Sequence, residues 1–106
     1  MVRREDIARS VADAVTAVPG VASLHPGFGV EVATQFSGGK LVGVRLSGEQ
    51  VEVCLTADRG PLTAVADEAA AAAARVLAAV GDHRPVNVVV ADVLPTALNR
   101  RSSDRE

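Results

Sequence analysis

Aromatic side chains are almost missing from this chain. Among 106 residues there are two phenylalanines, Phe28 and Phe36, and neither tryptophan nor tyrosine. A core without rings must be assembled from Val, Ala and Leu. Single-stranded nucleic acids are held by stacking bases on exposed aromatics beside basic residues. Two rings and a formal net charge of −2 give that chemistry little to use. A lone cysteine, Cys54, excludes an internal disulfide framework and a multi-cysteine metal centre, and it fits a reducing compartment. Lys40 is the sole lysine, so arginine carries nearly all the positive charge. No apolar run approaches the roughly 20 residues that cross a bilayer. The opening MVRREDIARSV is charged and is followed by no signal-peptide apolar core. The expectation is a cytoplasmic protein without direct membrane insertion, brought to a membrane only by a partner.

Apolar residues make up 48% of the chain, too many for a disordered one. The length suits one domain, expected over residues 1–95, with NRRSSDRE closing a polar tail at 96–106. A chain of this size buries roughly 60–70% of its unfolded surface, enough for one core but not for two lobes around a deep cleft.

Arg3 to Val18 predicts an amphipathic helix: Ile7, Val11, Ala14, Val15 and Val18 share a stripe, and Pro19-Gly20 ends it. Val21 to Leu24 predicts a short strand, His25-Pro26-Gly27 a turn, Val30 to Thr34 another short strand, and Ser37-Gly38-Gly39 a second turn. Leu41–Leu46 and Val51–Thr56 alternate as strands of a hairpin around Ser47-Gly48-Glu49. Pro61 fits the first position of a helix running to Val80. Its stripe is Leu62, Val65, Ala66, Ala69, Ala73, Val76, Leu77 and Val80, and Gly81 caps it. Val86 to Leu94 is a final strand, apolar on both faces, so it is either central or meets another molecule on its outer face. The order α-β-β-(β)-α-β predicts an α+β two-layer sandwich, both helices packed on one face of a three- or four-stranded, mainly antiparallel sheet.

Catalytic patterns are sparse. His25 and His83 are the only imidazoles, and with Cys54 they lie in separate elements, whereas zinc sites take three or four protein ligands. No metal and no cofactor are expected. Cys54 has no neighbouring base and reads as packing on the mixed face of its strand. The serines show no G-x-S-x-G elbow. The segment SGGK is followed by Leu41 where a phosphate loop needs Ser or Thr. Glu31, Glu49 and Glu52, like Asp67 and Glu68, read as solvated faces. SGGK has a faint likeness to the GXXG clamp of a KH-type RNA module, but that clamp joins two helices and this one leads into a strand.

One ordered set of landmarks is more telling. A leading helix ends at VPGVASLHPG, with Val18, Gly20 and Val21 in a V-x-G-V pattern. A V-E-V strand follows at Val51 to Val53. A proline-started helix begins at Pro61, and V-x-V-V-V-x-D-V closes at Val86 to Val93. Over about Arg3 to Leu94 this resembles the alkaline-shock-protein family of small bacterial proteins. The resemblance implies a non-enzymatic protein of envelope and alkaline stress that acts by self-assembly and through a membrane-anchored partner. It offers no catalytic residues to carry over.

Two functions therefore stand for comparison. The first is an interaction or scaffold protein whose sheet or sheet edge docks other chains, with Val86, Val88, Val89, Val90, Ala91 and Val93 as the candidate surface. The exposed set is Val89, Ala91 and Val93, or else Val88 and Val90, because a one-residue slip of register swaps the faces. The second is a small ligand-binding or enzymatic domain using the candidate loop His25-Pro26-Gly27-Phe28-Gly29, which requires His25 to approach Glu31, Cys54 or His83 and to line a concave pocket. Nucleic acid is not an expected partner.

Overall fold

The structure is a computed structural model and describes residues 3–94; the tail expected at 96–106 lies outside the described residues. Two helices, α1 (Arg4–Thr16) and α2 (Leu62–Ala79), cover one face of a sheet built from β1 (Val21–Leu24), β4 (Val44–Leu46), β5 (Val51–Ala57) and β6 (Val86–Val93). A separate hairpin, β2 (Ala33–Phe36) with β3 (Gly39–Val42), completes the α+β architecture. The predicted class therefore holds, with more strands than the sequence pattern resolved.

The sheet is organised around β5. Along one edge β5 pairs antiparallel with β1 at Leu55–Ala57 and with β4 at Val51–Val53. These two short strands lie end to end as halves of one edge. The change of partner falls on Cys54: its N–H donates to the Gly43 carbonyl at 2.9 Å, and its carbonyl accepts the His25 N–H at 2.8 Å. Residues 26–42 are an excursion between the halves, carrying a loop and the β2–β3 hairpin. On its other edge β5 pairs parallel with β6, which α2 makes possible by carrying the chain back across the sheet.

Gly43 is why Leu41–Leu46 is two strands and not the single strand its alternation predicts. Its φ is +97°, and a Cβ there would lie 2.5 Å from Leu24 Cβ. Only a residue without a side chain turns the left-handed corner and lets the end of β1 abut the start of β4. The hairpin is held by Thr34, fully buried, whose hydroxyl donates to the Val44 carbonyl at 2.6 Å. Its strand begins at Ala33, so the strand expected at Val30–Thr34 is shifted, and Val30 belongs to the preceding loop.

The core lies between sheet and helices. Val44, Leu46, Val51, Val53, Leu55 and Ala57 project from the sheet against Ala8, Val11, Ala12 and Val15 of α1 and Val65, Ala69, Ala72, Ala73 and Leu77 of α2. The alanines, several of which the apolar stripes understate, bring the helix layer close to the sheet without rings to fill gaps. Leu62 and Val80, placed in the predicted stripe, are exposed at the two ends of α2. Pro61 is the N-cap with extended ψ of 140°, one residue earlier than predicted. In α1, Glu5 and Asp6 sit in the first turn where the helix dipole favours them, and Glu5 pairs with Arg9 at 3.1 Å.

Side chains tie the connections down. The Arg84 guanidinium pairs with the Asp82 carboxylate and donates to the Ser47 carbonyl, which fastens the start of β6 to the β4–β5 turn. The Val51 N–H donates to the Pro85 carbonyl at 2.9 Å and opens the β5–β6 ladder.

Candidate functional site

β6 is an edge strand, not a central one. Among the described residues it pairs with β5 alone, so one row of its N–H and C=O groups meets no other strand. The register Cys54↔Val89 settles which faces its residues occupy. Val86, Val88 and Val90 pack against the helix-covered core. Val89 stands on the opposite face, beside Cys54, and is 50% exposed. The alternation then breaks: Leu55 pairs with Val90 but Thr56 with Asp92, so Ala91 is the extra residue of a β-bulge. Val93, opposite Ala57, thereby returns to the core side, and the expected outward set of Val89, Ala91 and Val93 is corrected to Val89 with the bulged Ala91. Asp92 accepts the Val93 N–H on its own carboxylate at 2.9 Å, a local cap just past the bulge.

The face away from the helices is partly covered by the loop that follows β1. The Val32 N–H donates to the Pro26 carbonyl at 2.8 Å and closes the loop at its base. Within it the Gly27 N–H donates to His25 Nδ1 at 2.8 Å, and the His25 and Phe28 rings lie 5.1 Å apart. Nδ1 is thus an acceptor, which places the proton of a neutral imidazole on Nε2. Gly27, at φ +83°, sits over Cys54; a Cβ on it would be 3.8 Å from Sγ and 3.2 Å from Val32 Cγ2. The thiol beneath is buried, and desolvation pushes its pKa up. That is the opposite of an activated nucleophile.

Between loop and sheet runs a groove of about 250 Å³ lined by Gly27, Phe28, Val32, Glu52, Val53, Cys54, Val89 and Ala91. Its wall is mainly apolar. The charge in it, Glu52, is already matched: Arg45, directly opposite on β4, donates to both carboxylate oxygens at 2.6 Å, and Gln50 adds a bond at 3.0 Å. The hydrogen bond from Arg45 is the main reason the Glu52 carboxyl is held below its ordinary pKa. Phe28 and Val30 project from the loop with 78% of their surfaces exposed. Phe28 shares the groove with Val89 and extends its apolar wall outward.

The predicted loop site is therefore only partly assembled. Phe28 lines the groove. His25 reaches Cys54 through its peptide N–H, while its ring serves the loop's own turn. Glu31 points elsewhere and pairs with Lys40 at 2.7 Å, and His83 is exposed in the α2–β6 connection. No cluster of three His, Cys, Asp or Glu able to hold a metal occurs among the described residues. A second depression, about 470 Å³, lies between the helices near Ala14, Ala72, Glu68 and Arg75, and is lined mostly by small side chains. Among the described residues no helix is long and apolar enough to cross a membrane.

The sequence pattern missed the Arg45–Glu52 pair and the bulge. The pair was legible in principle, since opposite charges occupy mirror positions about the Ser47–Gln50 turn. The bulge was not, because nothing local in VVVADV marks an inserted residue.

By its fold the chain is an α+β two-layer sandwich with a small groove on its uncovered face and an open strand edge at β6. Comparison with protein-family models, with curated proteins and with solved structures found no match to it.

Proposed function

We propose that this chain is a non-enzymatic interaction protein that docks other chains through β6 and the sheet face beside it. The observation that carries this reading is the coincidence of an unpaired strand edge with half-exposed Val89 and the protruding Phe28 and Val30. Added strands gain affinity from main-chain hydrogen bonds and need no deep pocket. The neutral, buried Cys54 and the internally satisfied His25 and Glu52 supply no activated catalytic group, which supports the same reading. The resemblance to the alkaline-shock-protein family gives it a setting: self-association and a membrane-anchored protein partner in an envelope or alkaline stress response, with the chain itself in the cytoplasm.

Light scattering across a protein dilution series tests it. An average mass that climbs above one chain with concentration, and falls back in Val89→Lys, is the expected result. A single-chain mass throughout, together with no capture of a membrane-anchored protein by the wild type that Val89→Lys fails to capture, would sink it.

The groove favours a second reading, a binding site for a small apolar ligand held between Phe28 and Val89. A fluorescent apolar probe such as an anilinonaphthalene sulfonate checks this. Saturable binding lost in Phe28→Ala supports the ligand site, and no binding removes it.

A further inference from the structure

We propose that the loop at residues 25–32 is a pH-sensitive cover over Cys54 and the groove, shut while the His25 ring is neutral and released when that ring takes up a proton. The proposal goes beyond the docking reading and needs neither a partner nor a ligand. It starts from one contact: the Gly27 N–H donates to His25 Nδ1 at 2.8 Å. A peptide N–H can only donate, so the ring nitrogen that meets it must offer a lone pair. A neutral imidazole has one such nitrogen, whereas both nitrogens of an imidazolium carry protons. Protonation therefore sets N–H against N–H at the same place, and the contact turns from attractive to repulsive.

The other bonds that shape the loop join peptide groups, which do not titrate. The His25 N–H donates to the Cys54 carbonyl, the Val32 N–H to the Pro26 carbonyl, and the Gly43 N–H to the Val32 carbonyl, each at 2.8 Å. Release is thus confined to the tip, where Gly27 and Gly29, at φ +83° and +79°, flank Phe28 and serve as joints. The tip is also the part that covers the thiol. Gly27 lies over Cys54 Sγ and, with Phe28, walls the groove. Neighbouring charges offer the protonated ring no replacement for its lost bond. β5 brings Cys54 and Glu52 to this face of the sheet. Burial pushes the Cys54 pKa up, which keeps it a neutral thiol, and Glu52 is held by Arg45 of β4 and by Gln50. Glu31 of the loop is paired with Lys40 of β3, and β6 lines the groove with Val89 and Ala91 alone.

The rate at which Cys54 reacts with dithiodipyridine reads the cover. The rate in native protein is divided by that of the urea-unfolded chain at the same pH, which cancels the response of the thiol chemistry itself to pH. Measurements at about pH 7.5 and about pH 5.5 span the range in which imidazoles take up a proton. In wild type the ratio should rise about three- to tenfold at the lower pH, the worth of one hydrogen bond. His25→Asn keeps an acceptor for the N–H two residues on, as in an Asx turn, and that acceptor does not titrate. Its ratio should be low at both pH values. His25→Ala has no acceptor, and its ratio should be high at both. A wild-type ratio that does not change with pH overturns the switch. A rise of the same size in His25→Asn, which retains His83, overturns it too, as does a His25→Ala ratio as low as wild type at the higher pH. Wild type and His25→Asn decide the matter even if His25→Ala unfolds. The fluorescent-probe test of the groove stands apart from this one. Probe binding without a thiol switch removes the cover and keeps the ligand site, and a thiol switch without probe binding does the reverse.

Discussion

Single positions in this fold are constrained by geometry that their residue type alone does not reveal. Gly38 and Gly43 both have positive φ, at +92° and +97°. A side chain at Gly38 would meet nothing within 4 Å, whereas one at Gly43 would strike Leu24 Cβ and approach the Cys54 carbonyl. Gly38→Ala should cost about 1–2 kcal/mol from the left-handed backbone alone. Gly43→Ala adds overpacking and should cost about 2–4 kcal/mol. Urea unfolding of the two variants compares them directly, and equal midpoints would contradict the end-to-end placement of β1 and β4. Cys54 offers a second check. Burial raises its pKa, so the folded protein keeps the thiol protonated where the unfolded chain ionises it. Stability from this group is complete below the unfolded thiol's pKa of about 8.5 and declines as pH rises through it toward the higher folded value. Ellman's reagent at pH 8 should react slowly with native protein and quickly in denaturant. Rapid reaction of the native protein would mean that the loop over Cys54 does not cover it.

Elements are held by their buried faces, and the ends of α2 show where the face stops. Leu55 is fully buried at the middle of β5, so Leu55→Ala should cost about 2–5 kcal/mol. Leu62→Ala, at an exposed helix end, should stay within about 0.5 kcal/mol of wild type. Thermal melts of both variants measure the contrast that the helical stripe by itself does not predict. Two ion pairs bear on how elements are joined: Arg45–Glu52 crosses from β4 to β5, and Asp82–Arg84 lies within the α2–β6 connection. In each the hydrogen bond from arginine holds the carboxyl below its ordinary pKa. The folded state therefore binds these protons less readily than the unfolded state. Their stabilisation is present above the ordinary carboxylate range, about pH 4, and is lost as pH falls from there toward the lower folded values. Melting temperatures measured from pH 7 down to 2 should fall less steeply in Glu52→Gln and Asp82→Asn than in wild type. Slopes identical to wild type would show the pairs to be solvent-screened contacts of no consequence.

At the scale of the whole molecule, one face of the sheet is covered by helices, the other carries the groove, and β6 leaves an open edge at the side of both. The two features answer to different substitutions. Val89→Lys should weaken self-association measured by light scattering, because it sets a charged side chain in the proposed strand pair. Phe28→Ala should weaken self-association less than Val89→Lys and empty one wall of the groove. If Phe28→Ala dissolves the assembly while Val89→Lys does not, the loop and not the strand is the docking surface.

The sequence by itself determined the two helices, the strands expected at Val51–Thr56 and Val86–Leu94, each within one residue of its observed end, and the α+β class. These depend on periodicities of 3.6 and 2 and on local punctuation by Pro19, Gly20, Pro61 and Gly81. It also singled out β6 as the unusual strand, since VNVVVADV is apolar on both faces. Only the tertiary structure decided that β6 lies at an edge, that Val89 and not Val88 faces outward, and that a bulge at Ala91 ends the alternation. Strand order and register depend on which segments meet across the sheet, and apolarity on both sides of a strand carries no information about either. The same holds for His25 and Glu31. They lie close in sequence, but the closed loop turns one toward its own backbone and the other toward Lys40, so proximity along the chain did not become proximity in a site.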